Sequence, residues 1–473
     1  MNTTKTYIRN GFATNSSSTH HIIKLKNNEA LDRFNQKFPN DENVGEYGWE
    51  DFVLSDRLSK ARYVCAQFIY VINKNEYGEF EQDKLNKYKT IMSQKLGYSC
   101  EELFGHGQIK NTWDFYVDHQ SHWEIDFDAI DTIIEGIINN PLVVILGDND
   151  NESERPKSVS MALHNGIEIP AFSASTSVIS QKEYSLIFDK RQGTKFRVTS
   201  LERSPFPELI DINICDYCDA GCYYCYKDCT SRGGFCEFND FVDLIHAIYG
   251  KTPEIVLGGG EPTAHPRFPE MLRLCHEHGI SVGFSTGTLD WIYNHAIASN
   301  VFNYATAIAC TISGKWNVNY IHSVISHAKN FYSDYRYGSL PKIHFHYIVG
   351  LYNKNRFEDF INSVDLPYDT TLVLLAYKKS GRAKFERIQY DWITPLQKRM
   401  ERDVSFNVAI DNELAGELSA DTPFAVETYG QDDGKFSCYY NLMNYHIYKS
   451  SHDLDGGFKT MPQYIITGWE KLA

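Results

Sequence analysis

The stretch Ile214-Cys215-Asp216-Tyr217-Cys218-Asp219-Ala220-Gly221-Cys222-Tyr223-Tyr224-Cys225-Tyr226 decides how the rest of the chain is read. With Cys229 and Cys236 just beyond it, it forms a dense cysteine cluster. Two readings compete. Cys215, Cys218, Cys222 and Cys225 make two Cys-x-x-Cys pairs, a pattern that suits zinc. A zinc ribbon, however, separates its pairs by roughly 12–20 residues so that two knuckles can face each other. Here only Asp219, Ala220 and Gly221 intervene. The other reading takes Cys218, Cys222 and Cys225 as Cys-x-x-x-Cys-x-x-Cys. Three thiolates on one loop can hold three irons of a [4Fe-4S] cube, leaving the fourth iron open to a ligand from outside the protein.

Outward from the cluster, short apolar strands alternate with amphipathic segments. The strands expected are 209–214, 254–257, 281–285, 304–312, 342–349 and 371–376. Between them, 240–249, 270–278 and 318–332 have helical periodicity. This alternation predicts parallel β/α units. Six units fall short of a full eight-stranded barrel. The fold expected is therefore α/β: a partial (β/α)6 TIM-like barrel over 206–400, with an N-terminal α+β domain over 1–205 and a small C-terminal extension over 401–473. In the N-terminal part, 129–140 reads as a helix, 142–146 as a buried strand, and 184–189 with 195–199 as a hairpin. The polar patch Asn15-Ser16-Ser17-Ser18-Thr19-His20 reads as a loop or helix cap.

Composition bounds the function. The chain has 473 residues, 42% hydrophobic and 23% charged, and a net charge of −15. That balance lacks the basic footprint by which proteins grip polymeric nucleic acid. No run of 18 apolar residues is present, so no membrane span is expected. The N-terminus lacks a signal-like apolar core, which predicts a cytoplasmic protein. In that compartment the eleven cysteines are not expected to form a disulfide framework.

A second motif joins the first. Leu257-Gly258-Gly259-Gly260-Glu261-Pro262-Thr263 follows the second expected strand. Together, a Cys-x-x-x-Cys-x-aromatic-Cys loop after the first strand and Gly-Gly-Glu-Pro after the second resemble the radical S-adenosylmethionine (SAM) enzymes, over roughly 208–381. The resemblance implies a [4Fe-4S] cluster on Cys218, Cys222 and Cys225, with SAM on its open iron. Gly259 and Gly260 would let the backbone approach SAM closely. Glu261 would partner its ammonium. Tyr224 matches the aromatic near the adenine, and Ser285 with Thr286 and Gly287 would lie near the methionine part. Ser313, Val349-Gly350 and Ala376-Tyr377 stand where ribose and adenine contacts come from.

The same resemblance implies a chemistry. One electron from the reduced cluster cleaves SAM to methionine and a 5′-deoxyadenosyl radical, which abstracts hydrogen from substrate. An electron donor such as flavodoxin or ferredoxin is implied. Residues 406–411 and 434–440 look like the skeleton of a cysteine-rich C-terminal extension (SPASM) found in peptide-modifying relatives. Its auxiliary-cluster ligands are missing except Cys438, so a degenerate cap is expected. The substrate expected first is a peptide or protein, and second a nucleoside, nucleotide or other small metabolite. A non-catalytic, redox-sensing role is the third class.

Strand alternation selects residues facing away from the helices. In 342–349 the apolar set is Ile343, Phe345, Tyr347 and Val349, which leaves His344 and His346 on the other face as candidate catalytic residues. Asp211 and Asn213 in the first strand, and Ser281 and Ser285 in the third, face the same way.

Overall fold

The computed structural model describes residues 18–42, 46–47, 51–72, 81–106, 109, 116–117, 123, 127–149, 157–168, 176–181, 183–190, 193–312, 318–332, 341–364, 370–400, 407–418, 433–451 and 456–472. Its chain divides into two compact units, one within Arg9–Leu201 and one within Glu202–Ala473.

The first unit is α+β. The strands Phe52–Leu54, Val143–Asn149, Ser18–Leu25 and Gly166–Glu168 form an antiparallel sheet in that order. A separate meander joins Thr176–Gln181, Tyr184–Asp189 and Thr194–Thr199, one strand more than the expected hairpin. The expected helix at 129–140 is a composite, an α turn at Ile130–Ile133 running into a π segment at Ile134–Ile138. In the polar patch, Ser18 to His20 open a strand rather than a loop. Asn15 to Ser17 lie outside the described residues.

The second unit is built on one large, mostly parallel sheet. Its strands are β1 (Leu209–Cys215), β2 (Glu254–Gly259), β3 (Ser281–Thr286), β4 (Ala307–Thr311), β5 (Lys342–Val349), β6 (Thr370–Ala376), β7 (Asn407–Ile410), β8 (Ser437–Asn441), β9 (His446–Tyr448) and β10 (Phe458–Lys459). The spatial order is β7-β6-β5-β4-β3-β2-β1-β8-β9-β10. Strands β1 to β7 pair in parallel, and β8 pairs in parallel with β1. The connecting helices are α1 (Phe238–Ile248), α2 (Phe268–Glu277), α3 (His295–Tyr304), α4 (Val318–Tyr332), α5 (Lys354–Ser363) and α6 (Ile393–Met400).

The six-strand count is thus corrected. Residues expected as a separate small extension add β7 beside β6 and β8 beside β1. The cause is complementarity of alternation. Cys438 and Tyr440 are buried in register with Ile210 and Ile212, so β8 continues the same apolar layer. The fourth strand also starts later than expected, because α3 runs to Tyr304. Among the described residues the pairing leaves the sheet open between β7 and β10.

One core explains the whole arrangement. Ile212, Leu257, Phe284, Ile308, Phe345 and Leu374 pack with Phe241, Leu272, Phe302 and Phe357 of the helices. The opposite face mixes small and polar side chains with Val256, Val373 and Leu375. In strand register, Asn441 lies beside Asn213 and Asn213 beside Gly258. Along the same face Ser285 neighbours Ala309, Ala309 neighbours His344, and His344 neighbours Thr371.

Candidate functional site

The cysteine loop springs from the end of β1 and folds back on itself. Asp216 N–H donates to Gly234 O at 2.9 Å, Cys218 N–H to Thr230 O at 3.0 Å, and Cys236 N–H to Ile214 O at 2.9 Å. These bonds bury Cys215, Cys229 and Cys236 and leave Cys218, Cys222 and Cys225 half-buried. Burial pushes the Cys215 and Cys236 thiols up to about 12. Both are buried, whereas Cys218, Cys222 and Cys225 are half accessible. Cys438, on β8, is likewise buried and pushed up by burial.

Directly beneath lies the turn after β2. Gly260 N–H donates to Cys215 O and Glu261 N–H to Tyr217 O, both at 2.8 Å. The approach is so close that side chains are excluded. A Cβ on Gly259, whose φ is +125°, would come 2.2 Å from Cys215 O. One on Gly260 would come 2.0 Å from Tyr217 O. The glycines therefore bring the Gly-Gly-Glu backbone against the cysteine loop.

Glu261 is buried, and burial raises its carboxyl above the ordinary range while Thr263, Thr286 and Gly287 oppose that rise. Its Oε1 accepts from Thr263 Oγ1 at 2.6 Å, Thr286 Oγ1 at 2.9 Å and Thr263 N at 3.3 Å. Its Oε2 accepts from Gly287 N at 2.9 Å. Sequence reasoning marked this carboxylate as an ammonium partner. It did not foresee that protein donors already orient it, three on Oε1 and, among the described residues, one on Oε2.

Tyr224 and Tyr377 come together, packed with Leu351, Ala383, Ile348 and Tyr352. The Tyr377 hydroxyl is buried and has no hydrogen-bond partner among the described residues. Ser285 is half-buried on β3 beside Ala309. Ser313 lies outside the described residues. On β5 burial alternates strictly. Ile343, Phe345, Tyr347 and Val349 are buried, with Tyr347 stacked on Phe360 of α5, while His344 and His346 are half-buried on the other face. Burial pulls His344 down to about 4, helped by Lys342. Burial likewise pulls His346 down to about 3, helped by His344 and Lys378. Both imidazoles are thus neutral at pH 7 and able to donate and accept.

A polar cluster on this face was only half legible. Lys227 Nζ donates to Tyr439 Oη at 3.3 Å and to Asn213 Oδ1 at 3.5 Å, and sits 4.6 Å from the Tyr439 ring centre. Asn213 Nδ2 donates to Asp216 Oδ1 at 3.0 Å and to Asn441 Oδ1 at 3.2 Å. Burial raises the Asp211 carboxyl, with Lys227 and Lys378 pulling against it. The sequence marked Asp211 and Asn213. Lys227, Tyr439 and Asn441 were missed, because their meeting depends on β8 pairing with β1.

Three soft thiols on one loop, half accessible, suit an iron–sulfur cube by donor chemistry. Among the described residues no three His, Cys, Asp or Glu side chains gather around a single ion. A cube does not require it, since each thiolate takes a different iron.

No family model and no curated protein matches the chain. Among solved structures it is similar to Streptococcus suis SuiB bound to S-adenosylmethionine, at 13% identity over 63% of this chain and 87% of that one, with a TM-score of 0.44. SuiB bound to precursor peptide SuiA aligns at 12% identity over the same shares, 63% and 87%, with a TM-score of 0.45. Methylornithine synthase (PylB) aligns at 12% identity over 57% and 82%, with a TM-score of 0.29. With every score below 0.5, these likenesses lend no weight to the site, whose chemistry rests on this chain's own residues.

Proposed function

We propose that this protein is a radical SAM enzyme that modifies a peptide or protein. The observation that carries the reading is the pairing of the cysteine loop with the Gly-Gly-Glu turn, Gly260 to Cys215 and Glu261 to Tyr217. Cys218, Cys222 and Cys225 would hold a [4Fe-4S] cluster. Bound there, the cluster supplies the electron that cleaves the sulfonium of SAM to methionine and a 5′-deoxyadenosyl radical. Gly259 and Gly260 would present backbone to SAM, and Glu261, fixed by Thr286 and Gly287, would accept from its ammonium. Tyr224 and Tyr377 would wall its adenine. His344 and His346, neutral on the face away from the helices, would touch substrate or SAM. Ala309 is the small neighbour of His344 on this face.

The peptide substrate is supported by the SPASM-like skeleton at 406–411 and 434–440, of which 437–440 lies in β8, paired with β9. The test is anaerobic reconstitution followed by incubation with SAM, reductant and a peptide deuterated at carbon. Deuterium appearing in 5′-deoxyadenosine supports the reading. Deuterium transfer from a nucleoside or other metabolite, and from no peptide, would move the substrate class.

A further inference from the structure

The segment after β6 folds back over the cysteine loop. Arg382 backbone N–H donates to Cys225 O at 2.9 Å. Its guanidinium donates through Nη2 to the Cys229 carbonyl and lies 3.2 Å from Asp228 Oδ1 through Nε. Gly381 permits the approach. Its φ is +56°, and a Cβ there would come 2.5 Å from Tyr226 O. Ala383 is buried against Tyr224 and Tyr377. The strip 378–388 is thus fastened to the loop that carries the three half-accessible thiols.

Its charge runs against that of the chain. The strip holds Lys378, Lys379, Arg382, Lys384 and Arg387 against one acid, Glu386, in a protein of net charge −15. Glu386 pairs with Lys379, Asp228 with Arg382 and Glu417 with Arg387. The cations outnumber these acids, so the strip stays positive. Among them Phe385 is 67% exposed and Ile388 45%. Tyr223, on the loop itself, is 50% exposed, its ring centre 5.2 Å from that of Tyr224. Large apolar side chains exposed within a charged rim mark an interaction surface.

We infer that this strip docks an acidic one-electron carrier protein that reduces the cluster. The inference rests on the cluster reading above, whose reaction consumes an electron that must come from outside the chain. The carrier is oxidised by one electron and the oxidised cube is reduced by one, with no bond made or broken. Electron transfer falls steeply with distance, so the carrier must settle against the loop that holds the cluster. The Arg382 N–H to Cys225 O bond joins the strip to that loop directly. Charge selects the same face, since an acidic chain repels an acidic carrier except where its own surface is positive. Redox encounters of this kind need only a small interface, under about 1,200 Å².

The test uses the full chain, reconstituted anaerobically, with photoreduced flavodoxin, an acidic carrier, as the probe. Bleaching of the iron–sulfur absorption is followed by stopped flow, with dithionite as a small-molecule control. Wild type should be reduced by flavodoxin at a rate that falls with added salt. The Lys379→Glu, Lys384→Glu double variant is expected to react with flavodoxin about tenfold more slowly at low salt. Phe385→Ala should react more slowly at every salt concentration. Both should match wild type with dithionite. Lys251→Glu, ahead of β2 at the opposite end of the parallel strands, should match wild type with either reductant. A double variant as fast as wild type with flavodoxin overturns the inference; if that variant also loses dithionite-driven turnover of a peptide, the strip serves the substrate instead. Equal slowing by Lys251→Glu, or equal slowing with dithionite, overturns it too. A wild-type cluster that flavodoxin fails to reduce overturns the docking alone, whereas a wild-type chain with no iron–sulfur signal overturns the cluster reading itself.

Discussion

Gly287 N–H donates to Glu261 Oε2 at 2.9 Å, tying the turn after β2 to the end of β3. With Thr286 Oγ1 on Oε1, this bond aims a buried carboxylate. Glu261 is therefore both a candidate SAM ligand and a strut between two loops.

Two losses follow from Glu261→Ala. Thr263, Thr286 and Gly287 keep donors with no acceptor, at about 1–3 kcal/mol for a buried unsatisfied group. Removing one partner of a buried charge pair costs about 2–5 kcal/mol of binding. The variant is expected to melt earlier and to bind SAM at least tenfold more weakly by calorimetry, while iron content holds. Unchanged SAM affinity would assign the ammonium to another residue.

Cys218→Ala, Cys222→Ala and Cys225→Ala should each abolish the iron–sulfur absorption of reconstituted protein. Cys215→Ala, Cys236→Ala and Cys438→Ala should retain it, since those thiols are buried. Iron analysis should give about four per chain, one cluster's worth. A reproducible count near eight would return Cys229, Cys236 and Cys438 as ligands.

His346→Ala should leave iron content and SAM binding near wild type and alter uncoupled SAM cleavage. Its neighbour Phe345 packs in the helix-side core, so Phe345→Ala should instead cost about 3–5 kcal/mol of stability. Equal effects of the two variants on stability would contradict the facing assigned to β5.

The two histidines also set a pH dependence. Their folded values, about 4 for His344 and about 3 for His346, lie below the ordinary 6.5. The unfolded chain then binds more protons between those limits, so their contribution to stability is complete above about pH 6.5 and is lost as pH falls toward 3–4. Denaturant titrations at pH 7, 5.5 and 4.5 should show a shallower acid-side loss in the His344→Gln, His346→Gln double variant. An unchanged slope would mean that neither ring is buried in solution.

What the sequence made legible was local. The cysteine loop, the Gly-Gly-Glu turn and the alternation of β5 each lie within a few residues, so spacing reveals them. The Lys227–Tyr439 and Arg382–Cys229 contacts span 212 and 153 positions, and no periodicity encodes them. The same holds for β8, whose alternation marks a strand without naming β1 as its partner. Glu261 shows the middle case. Its charge and motif were visible, but its donors on β3 required the parallel pairing of β2 with β3.

The central claim is tested most directly by 5′-deoxyadenosine, measured by liquid chromatography after anaerobic, reconstituted protein is mixed with SAM and dithionite. The account predicts its formation by wild type with an equivalent of methionine, and none by Cys222→Ala. No 5′-deoxyadenosine from a wild-type chain carrying a full complement of iron, or equal amounts from Cys222→Ala, would contradict it.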